Sequence, residues 1–342
     1  MASERAAAPT SEAAADEVLH DLGLVRVYKS GRVERPFVAP PVAPGLDAAT
    51  GVQSRDIQLG SYSVRLYLPP TTAATAGGKA CTLPVIVYIH GGGFVAESAA
   101  SPGCHGFLNR LTAACPALGV SVEYRLAPEH PLPAAYDDCL AALKWTLSAA
   151  DAWVAAHGDL DRVFLAGDSA GANICHYVAV HSDVVNAPMM THQGQGGGPR
   201  LRALEGAVLI HPWFWGSEAV GREPSHPTAR AMGARLWLFA CPDANSMDDP
   251  RINPMAPGAP GLDMIACERI MVCAAEYDFL RWRGRAYAEA VAAVRGREGE
   301  GTVELVETEG EGHVFFVSKP DSDKAMALLD RIASFVNARC PP

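Results

Sequence analysis

With 342 residues, of which 49% are hydrophobic and 19% charged, the chain can bury one large α/β core with an appendage, and two independent domains are disfavoured. A net charge of -10 without any Lys/Arg cluster excludes a nucleic-acid footprint and any attraction to an acidic membrane surface. No stretch approaches about 18 uninterrupted apolar residues, so nothing reads as membrane-spanning. Nine cysteines without Cys-x-x-Cys spacing read as reduced thiols of a cytoplasmic protein.

Residues 1–17 are rich in Ala with interspersed Glu and Asp, and lack both the apolar core of a signal peptide and the Arg bias of a transit peptide. They read as a frayed start. Residues 16–24 fit a short amphipathic helix, and residues 26–35 alternate apolar with charged side chains around Ser30-Gly31, as a hairpin would. Four prolines in residues 36–44 suit an extended surface linker. Residues 56–59 and 62–68 alternate in hydrophobicity around Gly60-Ser61 and read as an antiparallel edge pair. Residues 71–79, low-complexity Thr, Ala and Gly, read as a mobile loop.

Residues 84–90 are the first strongly buried strand, and they end in Gly91-Gly92-Gly93-Phe94. A triple glycine lets the backbone approach closely and turns several N–H groups toward one concavity. Neither a phosphate loop nor a dinucleotide fingerprint fits its spacing, whereas a His-Gly-Gly-Gly string after a strand matches the oxyanion loop of lipases and esterases. Residues 120–124 give the next strand, a proline-rich connector follows, and residues 134–147 have helical spacing. Residues 163–166 then read as a buried parallel strand that breaks at Gly167-Asp168-Ser169-Ala170-Gly171 and resumes as a helix. That is a nucleophile elbow: the flanking glycines let Ser169 occupy a sharp turn, and the N–H of Ala170 opens toward the hydroxyl.

Residues 184–200 read as a long excursion. Residues 204–211 form another buried strand, followed by Pro212-Trp213-Phe214-Trp215 and a helix near 235–241. This region leaves the strand-helix alternation and is assigned to a cap. Strands at 269–275 and 302–307 and helices at 281–294 and 322–338 close the chain. Repeated strand-helix order argues a mostly parallel sheet covered on both faces.

A serine hydroxyl needs a base within hydrogen-bond reach, and the base needs an acid that fixes its tautomer. Asp278 lies just beyond the strand at 269–275, with Glu276 as the alternative acid, and His313 lies just beyond the strand at 302–307. Both therefore fall at the carboxyl edge of the sheet with Ser169. His90, His130, His176 and His211 adjoin motifs, but only His313 follows the last strand. The oxyanion donors are assigned to Gly91, Gly92 and Ala170. No metal-ligand spacing occurs, so neither a metal nor another cofactor is expected. Phe94, Val95, Trp213, Phe214, Phe279 and Val314 are the candidate lining of an apolar substrate pocket.

His90-Gly-Gly-Gly-Phe94, the Tyr124 to Pro131 stretch, the elbow, Asp278 and His313 together resemble plant carboxylesterases of the hormone-sensitive-lipase-like group. The resemblance implies an α/β-hydrolase fold with an eight-stranded, mostly parallel sheet flanked by helices. It implies a cap built from residues 1–45 plus an insertion at 212–260 after the sixth strand, over a core of residues 46–211 and 261–342. The implied partner is a small-molecule ester and the implied assembly a monomer or homodimer. The gibberellin receptors, which resemble these esterases, lose the histidine, and isoflavanone dehydratases usually carry Thr at the elbow. With His313 and Ser169 both present, hydrolysis of small to medium uncharged esters is expected over a hormone-like receptor or a flavonoid dehydratase.

Overall fold

The computed structural model describes residues 17–70, 82–181, 204–223, 226–298 and 302–338. The expected frayed start, mobile loop and long excursion fall mainly or wholly outside these residues.

Eight strands form the central sheet: β4 (Gln53–Leu59), β5 (Tyr62–Leu68), β6 (Leu83–Ile89), β7 (Leu118–Glu123), β8 (Gly158–Asp168), β9 (Leu204–Ile210), β10 (Cys267–Ala275) and β11 (Thr302–Thr308). Their spatial order is β4-β5-β7-β6-β8-β9-β10-β11. The β4–β5 and β5–β7 pairings are antiparallel and the rest parallel, so β5 alone runs against the others. Alternate residues of β6 serve opposite faces: Val85, Val87 and Ile89 enter one core, and Ile86 and Tyr88 the other. A strand buried on both sides has no polar face, which is why these strands read as apolar runs.

On the first face lie helices α2 (Ala134–Leu147), α4 (Ala170–His181) and α6 (Arg281–Glu298), which contribute Tyr136, Leu143, Ile174, Val178, Tyr287 and Val291. The second face is covered by α1 (Pro102–Ala114) and α8 (Asp323–Asn337) through Phe107, Leu111, Leu328, Ile332 and Phe335. Ser322 caps α8 by accepting the Ala325 N–H at 3.2 Å. The short helices α3 (Ala152–His157) and α7 (Phe315–Ser318) complete the layers.

The amino-terminal segment departs from the helix expected at 16–24. Val18–Asp21 is strand β1, paired antiparallel with β2 (Arg26–Tyr28), which pairs in turn with β3 (Val33–Glu34). The four β1 side chains are exposed, so no apolar stripe selects a helix, and the ladder to β2 satisfies the backbone instead. This small sheet lies against helix α5 (Pro227–Ala240), with the ring of His20 edge-on to Phe239 at 5.5 Å.

Candidate active site

Successive chain connections leave β6 and β8, which are neighbours, toward opposite sides of the sheet. The crevice outside such a reversal is where open α/β sheets place ligands. The loop Gly91-Gly92-Gly93 follows β6 and Ser169 follows β8, so both emerge into it. Ser169 sits at φ +53, a strained backbone that the flanking glycines make room for. A side chain at Gly171 would run into the carbonyl oxygens of Ile89 and His90, and one at Gly167 into the backbone of Gly171. The serine backbone is tied on both sides: its N–H donates to the Ile210 carbonyl at 2.9 Å, and its own carbonyl accepts the N–H of Trp213 at 3.0 Å and of Asn173 at 3.1 Å.

The structure brings Ser169, His313 and Asp278 together. His313 Nε2 lies 3.0 Å from Ser169 Oγ, and His313 Nδ1 lies 2.8 Å from Asp278 Oδ2. The tautomer follows from the network: Nδ1–H donates to the carboxylate, which leaves Nε2 to accept the serine proton. Asp278 is buried, and its Oδ1 accepts the Leu280 N–H at 2.9 Å at the start of α6. The alternative acid, Glu276, is turned away, its carboxylate accepting the Gly310 N–H at 2.7 Å. That bond ties the end of β10 to the turn that precedes His313.

His211, at the end of β9, is a neighbour that sequence reasoning did not assign. It is buried, its Nδ1 accepts the Val314 N–H at 2.9 Å, and the same nitrogen lies 3.9 Å from Asp278 Oδ2. Burial pushes its pKa down to about 4, so the ring is neutral near pH 7 and Nδ1 stays an acceptor. Val314 has left-handed backbone, φ 45, and His211 holds that turn directly after His313. The donor atoms of His211, Asp278 and His313 lie within 4.8 Å of one another, close enough for a metal. The hydrogen bonds just described already engage these nitrogens and the carboxylate.

The glycine loop departs from expectation at Gly91. Its N–H donates to Asp168 Oδ1 at 3.1 Å, and the same oxygen accepts the Tyr88 hydroxyl at 2.6 Å. Burial raises the Asp168 pKa, and the Tyr88 hydrogen bond opposes that shift. Gly91 is therefore engaged in fixing the loop to the elbow. Among the described residues the N–H groups of Gly92 and Gly93 find no backbone acceptor. Ala170 N–H opens α4, where no preceding turn can receive it.

A cavity of about 200 Å³ opens at Ser169 and His313 and is lined by Leu24, Tyr88, Glu97, Cys104, Val314 and Val317 among others. Of the candidate pocket residues, Val314 faces it, and Phe279 is half-exposed with its ring 5.6 Å from that of His313. The others go elsewhere. Phe94, Val95, Trp213 and Phe214 are buried in the core, where Phe94 stacks on Trp213 at 5.5 Å and meets Trp237 edge-on at 6.0 Å. Phe214 packs against Tyr287, with ring centroids 4.7 Å apart, and none of the four lines the cavity. Leu24 and Cys104 of α1 reach the cavity only through the tertiary fold, and no local pattern marks them.

A glycine-braced serine turn at the switch point of such a sheet defines the α/β-hydrolase class. The family model for the alpha/beta hydrolase fold matches residues 86–317. A tuliposide A-converting enzyme from Tulipa gesneriana, described as chloroplastic, is 42% identical over 337 residues, spanning 96% of this chain and 80% of that protein. Probable carboxylesterase 2 of Arabidopsis thaliana is 38% identical over 314 residues, 91% of this chain and 93% of that one. Among solved structures, a thermostable carboxylesterase cloned from a metagenomic library superposes with a TM-score of 0.63 at 27% identity, over 83% of this chain and 88% of that one. The chain belongs to the α/β-hydrolase family, in the hormone-sensitive-lipase-like group of plant carboxylesterases. It is a carboxylic ester hydrolase.

Proposed function

We propose that this hydrolase cleaves small to medium uncharged esters through an acyl-enzyme on Ser169. His313 Nε2 takes the Ser169 proton as Oγ bonds to the ester carbonyl carbon. The developing oxyanion is received by the N–H groups of Gly92, Gly93 and Ala170. As the tetrahedral adduct collapses, the C–O bond to the alcohol breaks and His313 returns its proton to the departing oxygen. Water then gives a proton to His313 and attacks the acyl carbon, and the freed acid leaves as Ser169 regains its hydrogen. Asp278 stabilises the imidazolium formed in each half. Donors of this kind contribute roughly 2.7 to 4 kcal/mol each to the transition state.

The observation that carries this reading is the continuous Asp278–His313–Ser169 chain at 2.8 and 3.0 Å. The small, partly apolar cavity supports a short acyl or alcohol part. We assign the small β1–β3 sheet and residues 212–260 to a cap over that cavity, since Leu24 and the insertion both approach the glycine loop: a side chain at Gly93 would touch Leu236 and Leu24. The seven described cysteines are free and buried, which suits a reducing compartment. No described helix is long and apolar enough to cross a membrane. Cytoplasm and plastid stroma both meet the redox condition, and the chloroplastic description of the tulip relative makes the second worth testing with a fluorescent fusion.

Hydrolysis of p-nitrophenyl butyrate by the wild-type protein, abolished in Ser169→Ala, is the expected result. Equal rates in the two proteins would overturn the assignment.

A further inference from the structure

The proposed reaction leaves one charged group of the cavity without a task. Glu97 lines the same cavity as Ser169 and His313. Among the described residues its carboxylate finds no hydrogen-bond or ion-pair partner, whereas nearby Glu123 is held by the Ser98 hydroxyl at 2.6 Å and the Ala99 N–H at 2.7 Å. No Lys or Arg is among the residues lining the cavity. The other carboxylate there, Asp168, is occupied by Tyr88 and Gly91.

The backbone folds Glu97 back onto the glycine loop. The N–H groups of Val95 and Ala96 both donate to the Gly92 carbonyl, at 3.1 and 2.9 Å, which folds the segment back on the glycine loop. Glu97 itself takes φ +69, a left-handed conformation uncommon outside glycine. A Cβ placed on Gly92 would lie 3.0 Å from the Cβ of Glu97. The carboxylate therefore hangs on a two-carbon tether that starts beside a proposed oxyanion donor.

A negative charge in the cavity where the ester oxygen becomes negative opposes the reaction unless something covers it. Glu97 is only partly buried, so water serves it while the cavity is open; an ester that fills the cavity displaces that water, and a group on the substrate is then placed to take its role. Ser101 lines the same cavity and is buried; its Oγ accepts the Cys104 N–H at 3.4 Å, leaving the hydroxyl proton to give. A substrate hydroxyl suits both neighbours, donating to Glu97 and accepting from Ser101. An ammonium satisfies only the first, and a carboxylate is repelled.

We infer that Glu97 is a specificity-determining residue that selects esters bearing a hydroxyl a few atoms from the scissile carbonyl, a proposal that rests on the Ser169 chemistry above. The hydroxyl can belong to the acyl part or to the alcohol part. The test measures kcat/KM for wild type, Glu97→Gln and Glu97→Leu on two matched pairs: ethyl 3-hydroxybutyrate against ethyl butyrate, and glyceryl monobutyrate against propyl butyrate. The wild type is expected to favour the hydroxylated ester of one pair by about tenfold to a hundredfold, the range of a charge-assisted hydrogen bond. Glu97→Gln should reduce that preference and Glu97→Leu remove it, and both should speed the unsubstituted ester. An unchanged ratio in both pairs overturns the inference. So does an equal loss on both members, which marks a structural role, or a stronger preference for ethyl 3-aminobutyrate. Ester cleavage that survives Ser169→Ala is a different failure, since it removes the underlying reaction whatever the ratios are.

Discussion

Asp168 Oδ1 accepts the Gly91 N–H at 3.1 Å, so the residue before the serine fastens the glycine loop to the elbow. The bond joins the ends of two adjacent strands, β6 and β8, and sets how far Gly92 and Gly93 stand from Ser169 Oγ. Asp168→Ala leaves that N–H and the buried Tyr88 hydroxyl without a partner, at roughly 1 to 3 kcal/mol each. Urea unfolding should register the loss of stability. The kcat for p-nitrophenyl butyrate should fall more than KM rises, because the displaced groups act on the transition state.

A second positioning contact joins His211 Nδ1 to the Val314 N–H at 2.9 Å. Phe in place of His211 keeps an aromatic body but loses the acceptor. The expected effect of His211→Phe is a fall in kcat of about tenfold to a hundredfold, for a misplaced base. Retention of full kcat would show that the turn holds itself.

Acid should weaken the fold through its buried imidazoles. Burial lowers the His211 pKa to about 4 and the His176 pKa to about 3, from 6.5 in the unfolded chain. Below 6.5 the unfolded chain takes up protons that the folded one refuses. Stability is therefore greatest above 6.5 and falls as pH drops toward 4, by roughly 1.4 kcal/mol per pH unit for each histidine. Urea midpoints at pH 7.5, 6 and 5 should decline in that order, and His176→Gln should flatten the decline.

Glu223 receives Arg283 Nε at 2.7 Å and Arg230 Nη1 at 3.0 Å, and its side chain is fully buried. Arg283 belongs to α6 and Arg230 to α5, so this carboxylate fastens the two helices to each other. Removing one member of a buried ionic group costs about 3 to 5 kcal/mol because its partners stay charged and buried. Glu223→Ala should lower the urea midpoint and expose residues 212–260 to limited proteolysis.

The parallel strands were legible because burial on both faces leaves an apolar run, and the elbow because only glycines fit beside its carbonyls. His313 and Asp278 were legible as residues just past strand ends. Helix α1 was not: Gly103 and Gly106 dilute its helical signal, and its buried side chains include the polar Asn109 and Thr112. Its Ser101 cap and first-turn proline were the only local marks. β1 is a strand, and not the helix expected at 16–24, because its pairing with β2 and not its own sequence decides its conformation. The engagement of Gly91 by Asp168, the support of Val314 by His211 and the cavity face of Glu97 arise between segments far apart in the chain. The burial of Phe94 and Phe214 arises the same way: nothing local shows that Trp237 meets the one and Tyr287 the other.

The central claim is that Ser169 is activated by His313. Mass spectrometry after treatment with a fluorophosphonate measures this directly. The account predicts one adduct per chain, on the peptide carrying Ser169, formed rapidly by the wild type and at least about a hundredfold more slowly by His313→Ala, within the range of general-base assistance. An adduct on another serine, or equal labelling of both proteins, would contradict it.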